Sequence, residues 1–218
     1  MGRRRREFSP GIYHLASHGS DDRYLYLDDE DRADFLERFS DSFWTRGIEV
    51  LAYVLLGNHY HGLVHIHDER LAEALQRLHT EYSRHHNRRH DRRAHLFRAH
   101  CLARRINDDN DLLGAYRYLA RNPVEAGLVS DPLDWPWAST RAHAGLEPPA
   151  IPLDQRPLQA ALDHSPNWRQ LYVDLIQTDE ARTATPRSEG EIERGGTYGA
   201  PSWTDIAGAG FEPATSGL

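Results

Sequence analysis

Ile48-Glu49-Val50-Leu51-Ala52-Tyr53-Val54-Leu55-Leu56-Gly57-Asn58-His59-Tyr60-His61-Gly62-Leu63-Val64-His65-Ile66 decides the fold. Residues 48–56 are apolar and β-prone, so they read as a strand. Gly57-Asn58 is a turn signal, and residues 59–66 read as the partner strand of a hairpin. Upstream, Asp28 to Arg46 opens with acids and then places Phe35, Leu36, Phe39 and Phe43 at helical spacing. The acids suit the positive end of a helix, and Gly47 ends it. Before it, Gly11 to Ser17 alternates, with Ile12, His14 and Ala16 on one side and Tyr13 and Leu15 on the other. This predicts a first strand, closed by His18-Gly19-Ser20-Asp21. Downstream, Leu71, Leu75, Leu78 and Tyr82 mark one face of a second helix, running to about Arg89. The stretch from Ala94 to Ile106 has room for a further strand. Asp108 to Arg121 predicts a third helix, capped by Asp108 or Asp109 and stopped by Pro123. The order β-α-β-β-α-β followed by a helix is an α+β, ferredoxin-like pattern: a sheet with helices on one face plus a C-terminal helix. Unrelated functions use that arrangement, so function must be argued from the site.

The 218 residues carry 39% hydrophobic residues, enough for one core. A single cysteine, Cys101, excludes an internal disulfide framework and fits a reducing compartment. Arg3-Arg4-Arg5-Arg6 is not followed by the apolar run of a signal peptide. No stretch approaches the roughly 18 apolar residues of a membrane span. A soluble cytoplasmic protein with no membrane partner is the expectation. The net charge of −7 argues against a nucleic-acid partner only until its distribution is considered. Residues 70–105 hold 10 arginines, 6 histidines and only 3 acids, a basic stripe in an acidic chain. Prolines at 148, 149, 152 and 157 mark a change of character. The expected organisation is a domain over 1–145, a linker with short helices over 146–177, and a disordered tail over 178–218.

Two residues apart on a strand, His59 and His61 share a face, with Cα atoms roughly 6.5 Å apart. Such a pair can hold one metal ion. His65 and His67 on the same strand make a second pair of the same kind, and spacing alone does not choose between them. On the third helix, Leu112, Leu113, Tyr116, Leu119 and Ala120 form the apolar stripe, which makes Tyr116 a core residue. Tyr118 lies off the centre of that stripe, and Asn122 falls one turn later on the same face. Tyr118 is either a rim tyrosine or a nucleophile beside a metal ligand.

Taken together the features are more specific. Asn58-His59-Tyr60-His61 is followed, fifty-seven residues after His61, by Tyr118 in Tyr118-Leu119-Ala120-Arg121-Asn122-Pro123-Val124-Glu125-Ala126-Gly127-Leu128-Val129. Asp134-Trp135-Pro136-Trp137-Ala138-Ser139-Thr140 comes next. Between the two motifs lie His86-Asn87-Arg88-Arg89-His90 and Ala94-His95-Leu96-Phe97, and upstream lie Gly11-Ile12-Tyr13-His14 and Asp28-Asp29-Glu30-Asp31-Arg32. Over residues 3–145 this ordered set resembles the single-tyrosine HUH transposases, specifically the REP-associated tyrosine transposases. The chain departs from that pattern at Gly57, where the family usually has proline, at His18, and at Arg98-Ala99-His100.

The resemblance implies that His59, His61 and Asn122 are metal ligands for Mg or Mn. It implies that Tyr118 is the nucleophile of a strand-cleaving and rejoining reaction on single-stranded or hairpin DNA, through a 5′-phosphotyrosine. Arg88, Arg89, Arg92 and Arg93 would track the DNA backbone. Tyr82 and Phe97 are either base-stacking or core aromatics. Two other readings stand beside this one: a non-catalytic hairpin DNA- or RNA-binding regulator of the same fold, and a histidine-rich metal-binding protein. Monomer and homodimer are both open.

Overall fold

The computed structural model describes residues 8–93, 95–98 and 101–178. The expected tail beyond Thr178, the Arg3–Arg6 run and His100 lie outside them. Four strands, β1 (Gly11–His18), β2 (Glu49–Leu55), β3 (His59–Ile66) and β4 (Leu102–Arg105), form one antiparallel sheet in the order β2-β3-β1-β4. The hairpin of β2 and β3 is the one expected from residues 48–66. β4 occupies only four residues of the stretch reserved for it and pairs with β1, Tyr13 facing Arg105 and Ala16 facing Leu102.

Two helices, α1 (Asp29–Trp44) and α2 (Leu71–Arg89), cover one face of the sheet. Their apolar stripes meet Tyr13, Leu15, Tyr60, Val64 and Ile66 in a core that includes Phe35, Phe39, Phe43, Leu78 and Tyr82. Tyr82 and Phe97 belong to this core. Each such side chain stabilises the fold by about 1.5–3 kcal/mol. The approach is close: a Cβ at Gly62 would lie 3.0 Å from Phe39 Cζ. Asp28 caps α1 by accepting a hydrogen bond from Asp31 N at 3.0 Å, worth about 1 kcal/mol.

The opposite face is covered by α3 (Asp109–Glu125), with α5 (Arg156–Ala161) and α6 (Trp168–Gln177) packed behind it. Asp108 is the α3 cap, accepting from Asp111 N at 2.9 Å. Asp111 in turn takes both hydrogen bonds of Arg104 on β4, at 2.7 and 2.8 Å, which ties the start of α3 to the sheet. Pro123 does not stop this helix as expected. It lies inside it, buried, and α3 runs one further half-turn to Glu125. Pro123 lacks an N–H to give, yet the amides that follow still find carbonyls: Ala126 N bonds Asn122 O and Leu128 N bonds Pro123 O, each at 2.9 Å. The actual stop is Gly127, at φ 69°.

Residues 146–177, expected as a linker with short helices, carry those helices packed tightly onto α3. Leu158, Trp168, Tyr172 and Ile176 are buried with Leu112, Tyr116 and Leu119. Arg121 donates to Ile176 O at 3.0 Å and Arg117 to Thr178 O at 2.6 Å, so cations of α3 close the end of α6. Before them, the Trp-Pro-Trp motif and the short α4 (Thr140–His143) protect the outer edge of β2. Leu55 N donates to Trp137 O at 2.8 Å, Trp135 Nε1 to Leu55 O at 3.0 Å, and Ser139 N to Tyr53 O at 3.0 Å. An edge strand that would otherwise offer open amides is thus paired. Among the described residues no helix is long and apolar enough to cross a membrane.

Candidate active site

The alternation of β3 sends Tyr60 into the α1–α2 core and His59 and His61 to the α3 face. His61 is fully buried and His59 half-buried, with ring centroids 5.2 Å apart and planes at 89°. α3 lies over them. The Tyr118 ring stands perpendicular to His61 at 5.2 Å. One turn on, the buried Asn122 side chain hydrogen-bonds toward both His59 and Tyr118. The four residues singled out from the sequence therefore occupy one place.

Two further histidines join them. In the β1–β3 register His18 is opposite His59, and His14 stands on the same face one pair beyond Ala16 and His61. His14 Nε2 is 3.1 Å from His61 Nδ1, and its ring lies 5.6 Å from that of Tyr118. His18 stacks on His59 at 4.6 Å, and Asn58 Oδ1 accepts from His59 Nδ1 at 2.7 Å. A hydrogen bond on Nδ1 fixes the ring and leaves Nε2 with its lone pair. In His61 that Nε2 is buried and has no hydrogen-bond partner. A buried orphan nitrogen beside a second imidazole and a carboxamide is the donor set of a divalent-ion site, so these residues fit a metal.

Burial holds the imidazoles neutral. It lowers His59 to about 4, helped by His18 and opposed by Asn122. His61 lies well below the ordinary value through burial and then its histidine neighbours. Burial lowers His14 to about 3, with Arg104 adding to the effect and Asp111 opposing it. Tyr118 is pushed up to about 12 by burial and by the Glu125 carboxylate, with the Asn122 hydrogen bond acting the other way. Three neutral imidazoles beside a protonated phenol can bind a cation and let the phenol act once its proton is lost.

The rival pair does not share this site. His65 Nδ1 and His67 Nε2 turn to Glu49 Oε2, at 3.1 and 2.9 Å, toward the far end of β3. The four arginines divide. Arg88, Arg92 and Arg93 are exposed. Arg92 and Arg93 line a cleft of about 530 Å³ with Arg23, Tyr24 and Leu27. Arg89 is held by Asp28 at 2.8 Å, Glu30 at 2.7 Å and Asp31 at 2.7 Å. A phosphate would have to displace those carboxylates, so Arg89 braces the helix end rather than facing the cleft.

No family model matches the chain, and no curated protein sequence matches it. Among solved structures it is similar to the REP-associated tyrosine transposase bound to a REP hairpin, with a TM-score of 0.57 and 17% sequence identity, over 71% of this chain and 93% of that one. The likeness establishes that the two share a fold.

Proposed function

We propose that the chain is a REP-associated tyrosine transposase, a metal-dependent single-stranded DNA endonuclease and strand transferase. The observation that carries this reading is the meeting of Tyr118 with His61, His59 and Asn122 across α3 and β3, in a fold shared with a hairpin-bound tyrosine transposase.

His59, His61 and Asn122 would hold the ion. When bound, Mg²⁺ or Mn²⁺ supplies Lewis-acid neutralisation of charge on a non-bridging phosphate oxygen. Tyr118 Oη attacks the scissile phosphorus, the bond to the 3′ oxygen breaks, and the products are a 5′-phosphotyrosine and a free 3′-OH. The covalent link keeps the phosphoester, so rejoining needs no nucleotide. Asn122 favours the deprotonated phenol through its hydrogen bond, against the burial that opposes it. His14 holds His61 in orientation through the 3.1 Å contact. Arg92, Arg93 and Arg23 give the cleft its positive lining, and exposed Tyr24 offers a ring for a base. The substrate class that suits these parts is a single-stranded segment at the foot of a DNA hairpin.

The test mixes full-length protein with Mn²⁺ or Mg²⁺ and hairpin-bearing single-stranded DNA labelled on the 3′ side of the cut. Label should migrate with the protein on a denaturing gel, and should not in Tyr118→Phe or His59→Ala. Tight binding with no covalent product, over several hairpins and both metals, would replace the enzyme with a binding module.

A further inference from the structure

His86 lies in the last turn of α2 and His90 caps the helix four residues on, so the two share one face. Their ring centroids are 4.6 Å apart. Asp31, fully buried in the first turn of α1, faces them from the neighbouring helix. One ligand atom from each of the three lies within 4.8 Å of the other two. His90 Nε2 is 2.9 Å from both Asp31 oxygens. His86 is 0% exposed, and neither of its ring nitrogens has a hydrogen-bond partner.

A buried imidazole with both nitrogens unsatisfied is costly, and folded chains rarely leave such a group uncompensated. Here it sits beside a second imidazole and a carboxylate. Two imidazoles and one carboxylate suit a borderline transition ion rather than Mg²⁺. We infer that Asp31, His86 and His90 form a second metal site, structural in role, that takes a Zn²⁺-class ion. It is separate from His59 and His61, because α1 and α2 cover the other face of the sheet.

A guanidinium borders the site, and an ion there competes with it for Asp31. Arg89 NH1 is 2.7 Å from Asp31 Oδ1 and 3.1 Å from His90 Nε2. Asp28 and Glu30 also hold Arg89, and they keep it in place when the ion takes its share of Asp31. On loading, a neutral His90 carries its one proton on Nδ1 instead of Nε2, which frees Nε2 for the ion with no net loss of a proton. The ion would join the two walls of the basic cleft at their base. Leu27 N donates to Asp31 Oδ2 at 2.8 Å on one side. On the other, Arg92 N bonds Asn87 O at 2.8 Å just past His90. The site stands whether or not Tyr118 cuts DNA.

The test strips full-length protein with chelator and titrates it with Co²⁺ and Zn²⁺. The background is His59→Ala, His61→Ala, His65→Ala, His67→Ala, which silences the other histidine pairs. One ion per chain should bind, with visible Co²⁺ bands and a rise in Tm of roughly 5 °C or more at a hundredfold excess of Zn²⁺ over Kd. His90→Ala and Asp31→Asn should abolish both. Absence of binding in the background chain, or binding unchanged in His90→Ala, would overturn the site. Anomalous diffraction at the zinc edge from wild-type crystals needs no variant. A peak among the three side chains supports the site, and none there at saturating Zn²⁺ overturns it.

Discussion

Tyr118 on α3 and His61 on β3 stand ring to ring at 90°, with centroids 5.2 Å apart. The pair joins an amphipathic helix to a central strand that lies more than fifty residues earlier in the chain. On the proposed reading, Tyr118→Phe removes the nucleophile and little else. Covalent product should fall below detection, while stability changes by no more than about 1 kcal/mol, the worth of an ordinary hydrogen bond. Urea melts of the variant check the second half. A large loss of stability would make Tyr118 a structural residue.

His14 acts through His61. Removing it leaves His61 Nδ1 without its neighbour at 3.1 Å. His14→Ala should weaken Mn²⁺ binding by roughly 10–100-fold, the usual effect of losing a residue that orients a ligand. His14→Gln, which keeps a hydrogen-bonding end, should recover part of this. Calorimetric titration with Mn²⁺ measures both, and unchanged affinity in His14→Ala would remove His14 from the site.

Residues 156–177 are expected to stabilise α3. Ile176 is fully buried among α3 side chains. Ile176→Ala should cost about 2–5 kcal/mol, read from denaturant melts. A cost below about 0.5 kcal/mol, the size of a surface substitution, would mean that α6 does not support the helix.

Acid should destabilise the fold in a defined window. Burial lowers both His79 and His143 to about 4. Tyr60 Oη and His79 Nε2 share a hydrogen bond at 2.8 Å. Unfolded, both histidines return to an ordinary value near 6.5, so between 6.5 and 4 the unfolded chain binds protons that the folded chain refuses. Their contribution is complete above about 6.5, is lost as pH falls through the window, and levels off below 4. Each accounts for on the order of 3 kcal/mol. Melts at a series of pH values check this, and His79→Gln should flatten the slope.

Arg92 and Arg93 line the cleft, whereas Arg89 is spent on carboxylates. Arg92→Ala with Arg93→Ala should weaken DNA binding across sequences alike. It should reduce the salt slope by about 0.7 for each phosphate that is no longer neutralised. Arg89→Ala should act on stability more than on the slope. Binding isotherms at several salt concentrations separate the two.

Much of this architecture was legible in residue order. The hairpin and α2 follow from local pattern, because apolar spacing and the Gly57-Asn58 turn act over short range. Pro123 misled because a missing N–H is tolerated where later amides find other carbonyls. His14 and His18 were visible as residues but not as members of the site. Their place depends on the register of β1 against β3, which no local signal sets. The same holds for Asp31, which meets His86 and His90 only after α1 and α2 pack. The helices over 156–177 could be foreseen, but their burial against α3 depends on how distant segments close on one another.

Locating the covalent bond identifies the nucleophile. The adduct formed with hairpin-bearing single-stranded DNA is trimmed by nuclease, digested with trypsin and fragmented in a mass spectrometer. Trypsin separates Tyr118-Leu119-Ala120-Arg121 from the preceding peptide that carries Tyr116. A nucleotide phosphate is expected on Tyr118. A phosphate on Tyr116 or on any other residue would contradict it.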